Sequence, residues 1–383
     1  MPVVDEAATY RFQNKEIFLL IALAIGALGV FAFTKYIAMK EEQIEARTAA
    51  IWYSEGRRQL GSEKIDQAIE SFRKATAESP GDRTYSLALA NALAAGNHVA
   101  EARETLLRLR ESGPEDAEIN SQLARLDVKG GEIDDAIQYY QNALYGRWAG
   151  TQADSRQRQL RIELIRFLLE HQRRNFALSE LLILETDLPR TAAAHLETAR
   201  LFAQAGDAQH ALGHYDEAIE LDKNNVDALT EAGETEFRLG DYRRTERYLE
   251  AAMRLSPQVE KSRHLLSISE GVLSGDPLEQ HLSRKESRER LLRGLTQATQ
   301  RLQYYLREPS NSQRSSQLGT LESQARVLTS ALHSRRPLDS ESIYSGVELI
   351  YNIERATATA GLEPDVLDEA LLLIGQKHGV AQP

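Results

Sequence analysis

Apolar residues cover every face of the stretch Ile17–Thr34 (IFLLIALAIGALGVFAFT), 18 positions without a charge. As a helix rising 1.5 Å per residue it reaches about 27 Å, the depth of a bilayer core. Lys15 and Glu16 precede it, and Lys35 and Lys40 follow. Tyr10, Phe12 and Tyr36 stand near its ends, where amphipathic rings favour an interface. The pattern predicts a transmembrane helix over 17–38, after a tail over 1–16 and before a linker helix over 39–48. A cleaved signal sequence is the competing reading; its apolar part would be unusually long and its Val30-Phe31-Ala32 processing site only passable. Positive charges on the two sides nearly balance, so the charge rule does not orient the span. A short tail, one span and a large following body place that body outside the cytoplasm. Ala22 and Gly26 form a small-residue pair through which two spans can approach and dimerise.

After residue 48 the pattern changes to short stretches of helical apolar spacing separated by turn residues. It also repeats. Ala68, Ala102 and Ala136 are each 34 apart, as are Phe72, Leu106 and Tyr140, and Ala75, Leu109 and Ala143. Seven extra residues intervene, within the loop-like GRWAGTQADSRQ at 146–157, and the register resumes. Ala177, Ala211 and Thr245 continue the first series; Leu181, Tyr215 and Leu249 the second; Leu184, Ala218 and Ala252 the third. Pro80, Pro114, Pro189 and Pro257 close units at one common offset. Gly206-Asp207 and Gly240-Asp241 predict a left-handed glycine ending one helix and an Asp cap opening the next. Gly96-Asn97 and Gly130-Gly131-Glu132 predict similar turns, whereas the fourth unit has no glycine at His171–Asn175.

The period and its residues resemble the tetratricopeptide repeat (TPR). Trp52, Gly56, Ala68, Phe72, Ala75 and Pro80 match that pattern; Glu55 and Gln59 depart from it, where Leu and Tyr are usual. The units are 49–82, 83–116, 117–150, 158–191, 192–225 and 226–259, an array over 49–259. The resemblance implies a right-handed superhelix of about six helix-turn-helix repeats, closed by a capping helix over 260–275; with the one N-terminal transmembrane helix and a helical C-terminal domain read from spacing over 276–383, the chain is all-α. One hairpin cannot bury its apolar face alone, so the units must stack.

The resemblance also implies a function. In TPR stacks the first helix of each unit lines a concave groove, and its ninth position faces into it. Here that position holds Arg57, Asn91, Arg125, Arg166, Arg200 and Glu234, with Tyr53 beside the first. An arginine row suits an acidic protein or peptide partner, because the guanidinium fork matches carboxylates. The competing reading is that these arginines pair with glutamates on adjacent helices. The two-carboxylate clamp by which some family members hold chaperone tails is absent: its positions here are Tyr53, Arg57, Ala88, Glu118 and Gln122.

Past Gly275-Asp276-Pro277 the 34-residue register is lost, and spacing predicts helices over roughly 279–307, 313–334, 340–360 and 364–377. Arg284–Arg301 is locally basic over a stripe of Leu291, Leu292, Leu295 and Leu302. Such a helix is either an ordinary core stripe with a solvated face or a surface for an anionic membrane.

Composition narrows the chemistry. Lys and Arg number 46 against 57 Asp and Glu, a net charge of −11, which disfavours nucleic acid. Cysteine is absent, so thiol catalysis and Cys-ligated metals are excluded. Phosphate loops, nucleophile elbows and H-E-x-x-H are missing. His210 and His214, four apart with Asp207 nearby, lack a clear third metal ligand. No catalytic residue, metal or cofactor is expected. The layout, one N-terminal span before a TPR array, resembles bacterial inner-membrane TPR proteins; that resemblance implies a membrane-anchored scaffold in cell-envelope assembly, secretion or a membrane complex, with its body on the periplasmic side. The alternatives are a structural subunit of a large membrane complex, or repeats recruiting substrate to an enzymatic 276–383, for which buried carboxylates or His281 and His333 would be the place to look.

Overall fold

The computed structural model describes residues 6–258, 260–307, 316–334, 339–359 and 361–380. Among them there are seventeen α-helices and no strand. The chain forms two compact units, Met1–Leu164 and Ile165–Pro383.

The first unit holds α1 (Glu6–Gly61), α2 (Ile65–Glu78), α3 (Arg83–Ala95), α4 (Val99–Ser112), α5 (Ala117–Gly130), α6 (Ile133–Leu144) and the first part of α7 (Ala153–Glu170). Helix α1 runs unbroken from the apolar segment into the face that packs on α2. No Gly-Pro or Asn-Gly punctuation interrupts residues 35–48, so nothing stops it. The apolar residues from Phe18 to Phe33 are exposed along its outside, unlike the core helix of a soluble domain. Gly56 shows why a small residue recurs at this point of the repeat. A Cβ there would meet the Phe72 ring at 2.7 Å, and Phe72 is buried. The equivalent pairs Ala90 with Leu106 and Ala124 with Tyr140 are buried in the same way.

The second unit holds the rest of α7, then α8 (Arg174–Glu185), α9 (Ala192–Ala205), α10 (Ala208–Leu221), α11 (Val226–Leu239), α12 (Tyr242–Leu255), α13 (Glu260–Gly275), α14 (Arg284–Arg307), α15 (Ser316–His333), α16 (Ser340–Thr359) and α17 (Val366–Lys377). Ala199 with Tyr215 and Gly233 with Leu249 repeat the small-against-large packing, and a Cβ on Gly233 would meet Leu249 Cδ2 at 2.6 Å; the fourth repeat departs from it, with a buried Ile165 at the small position and Leu181 at the large one. In both units the small residue of the second helix (Ala68, Ala102, Ala136, Ala177, Ala211, Thr245) has no exposed surface, so paired backbones meet there.

Local chemistry sets the helix ends. Gly206 and Gly240 are left-handed at φ 87° and 79°, and the Asp207 and Asp241 side chains accept from the N–H groups of His210 and Arg244. At 96–97 the left-handed residue is Asn97 rather than the glycine, and in the glycine-free turn it is Gln172. Helix α14 begins at Arg284, later than spacing alone predicts. Ser283 Oγ accepts from Glu286 N at 3.2 Å and Glu286 Oε2 accepts from Ser283 N at 2.9 Å, a capping box that fixes the start.

The C-terminal helices share one apolar core with the last repeat. It runs from Tyr242 through Ile268 and Val272 to Leu291, Leu295, Leu302, Ile350 and Ile374. Helix α13 lies against α12 on one side and α17 on the other. Three of the seven basic groups on α14 turn inward to protein oxygens. Arg288 donates to Ser334 O, Arg290 to Leu273 O and Asp276 O, and Arg301 to Thr357 Oγ1 and Asp368.

Candidate partner-binding face

The site is built from the first helix of each repeat. On α1, Arg57 is exposed and its guanidinium carbon lies 6.0 Å from the centre of the Tyr53 ring. Tyr53 in turn packs on Phe72 and Tyr85, with ring centres 5.8 and 5.1 Å away. Asn91 is half-buried on α3. On α5, Arg125 makes a two-pronged bond to Glu163 of α7, Nε to Oε2 at 3.0 Å and Nη2 to Oε1 at 3.1 Å. Burial alone would depress the Arg125 guanidinium, but the Glu163 bond and charge hold it above its usual range.

The same relation recurs in the second unit. Arg166 Nη2 donates to Glu197 Oε1 at 2.5 Å. Arg200 Nε lies 2.9 Å from both Glu231 oxygens, and its Nη2 reaches Asp227 at 3.1 Å. Tyr215 also donates to Glu231, at 3.1 Å. The last ninth-position residue, Glu234, accepts from Lys261 Nζ at 2.8 Å. Arginine at the ninth position of one repeat thus meets glutamate at the sixth position of the next. The sequence carried this signal: Glu163, Glu197 and Glu231 stand 34 apart, each three residues before the next ninth position.

These side chains border open hollows rather than a sealed pocket. One of about 760 Å³ is lined by Arg166, Glu170, Glu197, Arg200 and Gln204. A second of about 470 Å³ shares Arg200 and Gln204 and continues to Glu231, Glu234, Arg238 and Lys261. The surface is polar, extended and carries both signs of charge.

Two family models of the tetratricopeptide repeat match the chain, one over residues 59–126 and one over 168–226. The chain contains tetratricopeptide repeats. Among curated proteins none matches it by sequence. Solved TPR structures are similar at low identity. YrrB, described as a TPR protein with an unusual peptide-binding site, is 20% identical over 51% of this chain and 97% of its own, with a TM-score of 0.40. The C-terminal part of a TPR repeat-containing protein from Cytophaga hutchinsonii is 12% identical over 77% of this chain and 98% of its own, with a TM-score of 0.44. The TPR2AB domain of yeast Sti1, solved in complex with pHSP90, is 19% identical over 58% and 99%, with a TM-score of 0.26. Likenesses at this level carry nothing across to this TPR chain about its partners.

Other candidates from the sequence separate. His210 is tied to Asp207, Nδ1 to Oδ2 at 2.7 Å, while His214 faces His195, which periodicity did not single out. Among the described residues no group of three or more His, Asp or Glu side chains is arranged to hold a metal. His281 and His333 are exposed, and His333 Nδ1 lies 2.7 Å from Thr329 O of its own helix. Two buried carboxylates of the C-terminal bundle, Glu354 and Asp368, surround Arg301. Burial, reinforced by Asp368, pushes the Glu354 carboxyl up to about 8 despite the guanidinium 3.2 Å away.

Proposed function

We propose that this TPR chain is a membrane-anchored scaffold that binds an acidic segment of a protein partner on the first-helix faces of its repeats, with no catalytic role. The observation that carries the reading is the pair of adjoining hollows lined by Arg166, Arg200 and their neighbours. Guanidinium groups have five N–H donors, and a two-pronged carboxylate uses two. The ladder arginines are about half exposed, at 40–55% of the side chain. A partner carboxylate can therefore add to an Arg–Glu pair without displacing the glutamate. The internal pairing also limits binding to weak, multi-point contact, since each guanidinium is already partly neutralised. The apolar start of α1 is the anchor, and the repeats stand on the periplasmic side. This fits roles in cell-envelope assembly, secretion or a larger membrane complex.

The test is crosslinked capture from membranes with the native chain and the Arg125→Glu/Arg166→Glu double variant. A discrete partner lost in the variant supports the reading. A partner captured equally by both overturns it. Sidedness is read from an introduced Ser179→Cys, which is unambiguous in a chain without cysteine. An impermeant maleimide should label it from outside the cytoplasmic membrane.

A further inference from the structure

A separate hollow of about 620 Å³ opens beside α9 and α10, with no lining residue in common with the first-helix hollows. At its wall His195 of α9 and His214 of α10 meet, Nδ1 to Nδ1 at 3.1 Å. His214 is only 6% exposed, and Phe202 stacks on it with 5.5 Å between ring centres and 15° between planes. Beyond its other nitrogen, Glu185 Oε1 stands 3.3 Å from Nε2 but out of line, so this buried Nε2 has no hydrogen-bond partner.

The electrostatics select a tautomer. A carboxylate beside Nε2 favours the proton there and leaves the Nδ1 lone pair facing His195. Burial, chiefly, holds the His214 imidazole below its ordinary range, with His195 and His210 adding to this and Glu185 opposing it. Imidazole binds metal in its neutral form. Two nitrogens held about 2.0–2.1 Å from one ion stand about 2.9–3.4 Å apart for right-angled to tetrahedral geometry. The observed 3.1 Å lies inside that interval.

We propose that His195 and His214 chelate a divalent cation of the late first transition row, copper, nickel or zinc, through their Nδ1 atoms. Solvent in the open hollow completes the coordination. Glu185 is a positioning residue that orients His214 from its far side. Imidazole suits these ions, and the general affinity order peaks at copper. His210, engaged with Asp207, is not a ligand. With two protein ligands the site is reversible and links α9 to α10, so ion binding should stiffen the fifth repeat.

The experiment uses the untagged full chain in detergent, stripped with chelator, dialysed and titrated calorimetrically with CuCl₂, NiCl₂ and ZnCl₂. One tight equivalent per chain is expected, strongest for copper, with a rise in Tm on loading. His195→Ala should weaken that equivalent by at least about tenfold and abolish the rise. His195→Gln, which keeps a polar side chain of similar reach, should do the same with an unchanged circular dichroism spectrum. His210→Ala should bind as the native chain does. No tight equivalent in the native chain overturns the proposal. So does equal binding after His195 substitution, or loss on His210→Ala alone.

Discussion

Lys377 Nζ lies 2.9 Å from Oδ2 of Asp276, a carboxylate buried without exposed surface 101 residues earlier in the chain. His378 Nε2 reaches the same oxygen at 2.9 Å, and the Leu278 N–H donates to Oδ1 at 2.9 Å. Lys377 also meets Glu279, which in turn accepts from Arg243 of α12. The end of α17 is thereby tied to the turn that follows α13 and, through Glu279, to α12. Burial would raise the Asp276 carboxyl, but Lys377, His378 and the Leu278 amide together hold it below its ordinary value.

Removing one partner leaves the buried charge short of a donor. Lys377→Met should therefore cost about 1–3 kcal/mol in urea unfolding followed by circular dichroism. The pH dependence has a definite sign. A carboxylate with a depressed folded pKa contributes stability above its unfolded value, near about 3.9, and loses it as pH falls through the folded one. Asp276→Asn should flatten that acid limb of the stability curve.

Glu354 has the opposite sign. Its carboxyl, raised to about 8 in the fold, keeps a proton that the unfolded chain releases. Its stabilising contribution is full below the unfolded pKa and fades as pH rises toward the folded one. Glu354→Gln mimics the protonated form and should gain on the order of 1–3 kcal/mol over the native chain at pH 8.5, with little difference at pH 4.5. Thermal unfolding at the two pH values checks this.

One substitution should act in opposite directions at two helical glycines. Gly233→Ala places a methyl 2.6 Å from Leu249 and should destabilise by about 1–3 kcal/mol. Gly213 on α10 has nothing within 4 Å, so Gly213→Ala should stabilise by about 0.5–1 kcal/mol through helix propensity. Equal effects at both sites would show that Leu249 can move aside.

The Arg–Glu ladder should matter little to stability. Glu231→Gln removes the partner of a partly exposed guanidinium, and pairs of this kind contribute about 0–1 kcal/mol. Unfolding of Glu197→Gln and Glu231→Gln should shift by no more than that. A larger loss would mean the ladder holds the repeats together rather than shaping a binding face.

The anchor is checked by fractionation. Deleting residues 1–40 should move the chain from the membrane pellet to the soluble fraction. Retention in the pellet would locate the membrane contact elsewhere, with the basic α14 as the next place to look.

Much of this architecture is legible in the sequence because it is local. Helical spacing, glycine ends and Asp caps act within a few residues, and the 34-residue period repeats them. That is how Gly206-Asp207 and Gly240-Asp241 announce their turns, and why Ala68 and its counterparts read as contact points. The late start of α14 is not legible in apolar spacing, which says nothing about the Ser283–Glu286 capping box.

Residue order thus dictates a helical repeat array behind one long apolar helix. Packing then chose between the two readings of the arginine row. The arginine row reads as open when each helix is viewed singly, yet Arg125, Arg166 and Arg200 find Glu163, Glu197 and Glu231 once repeats stack at helix-packing distance. Stacking likewise set His195 against His214, and folding carried Lys377 to Asp276. Backbone order follows from short-range sterics and hydrogen bonds, which the sequence states. Pairing of long charged side chains depends on the separation of helices distant in sequence, which only packing supplies.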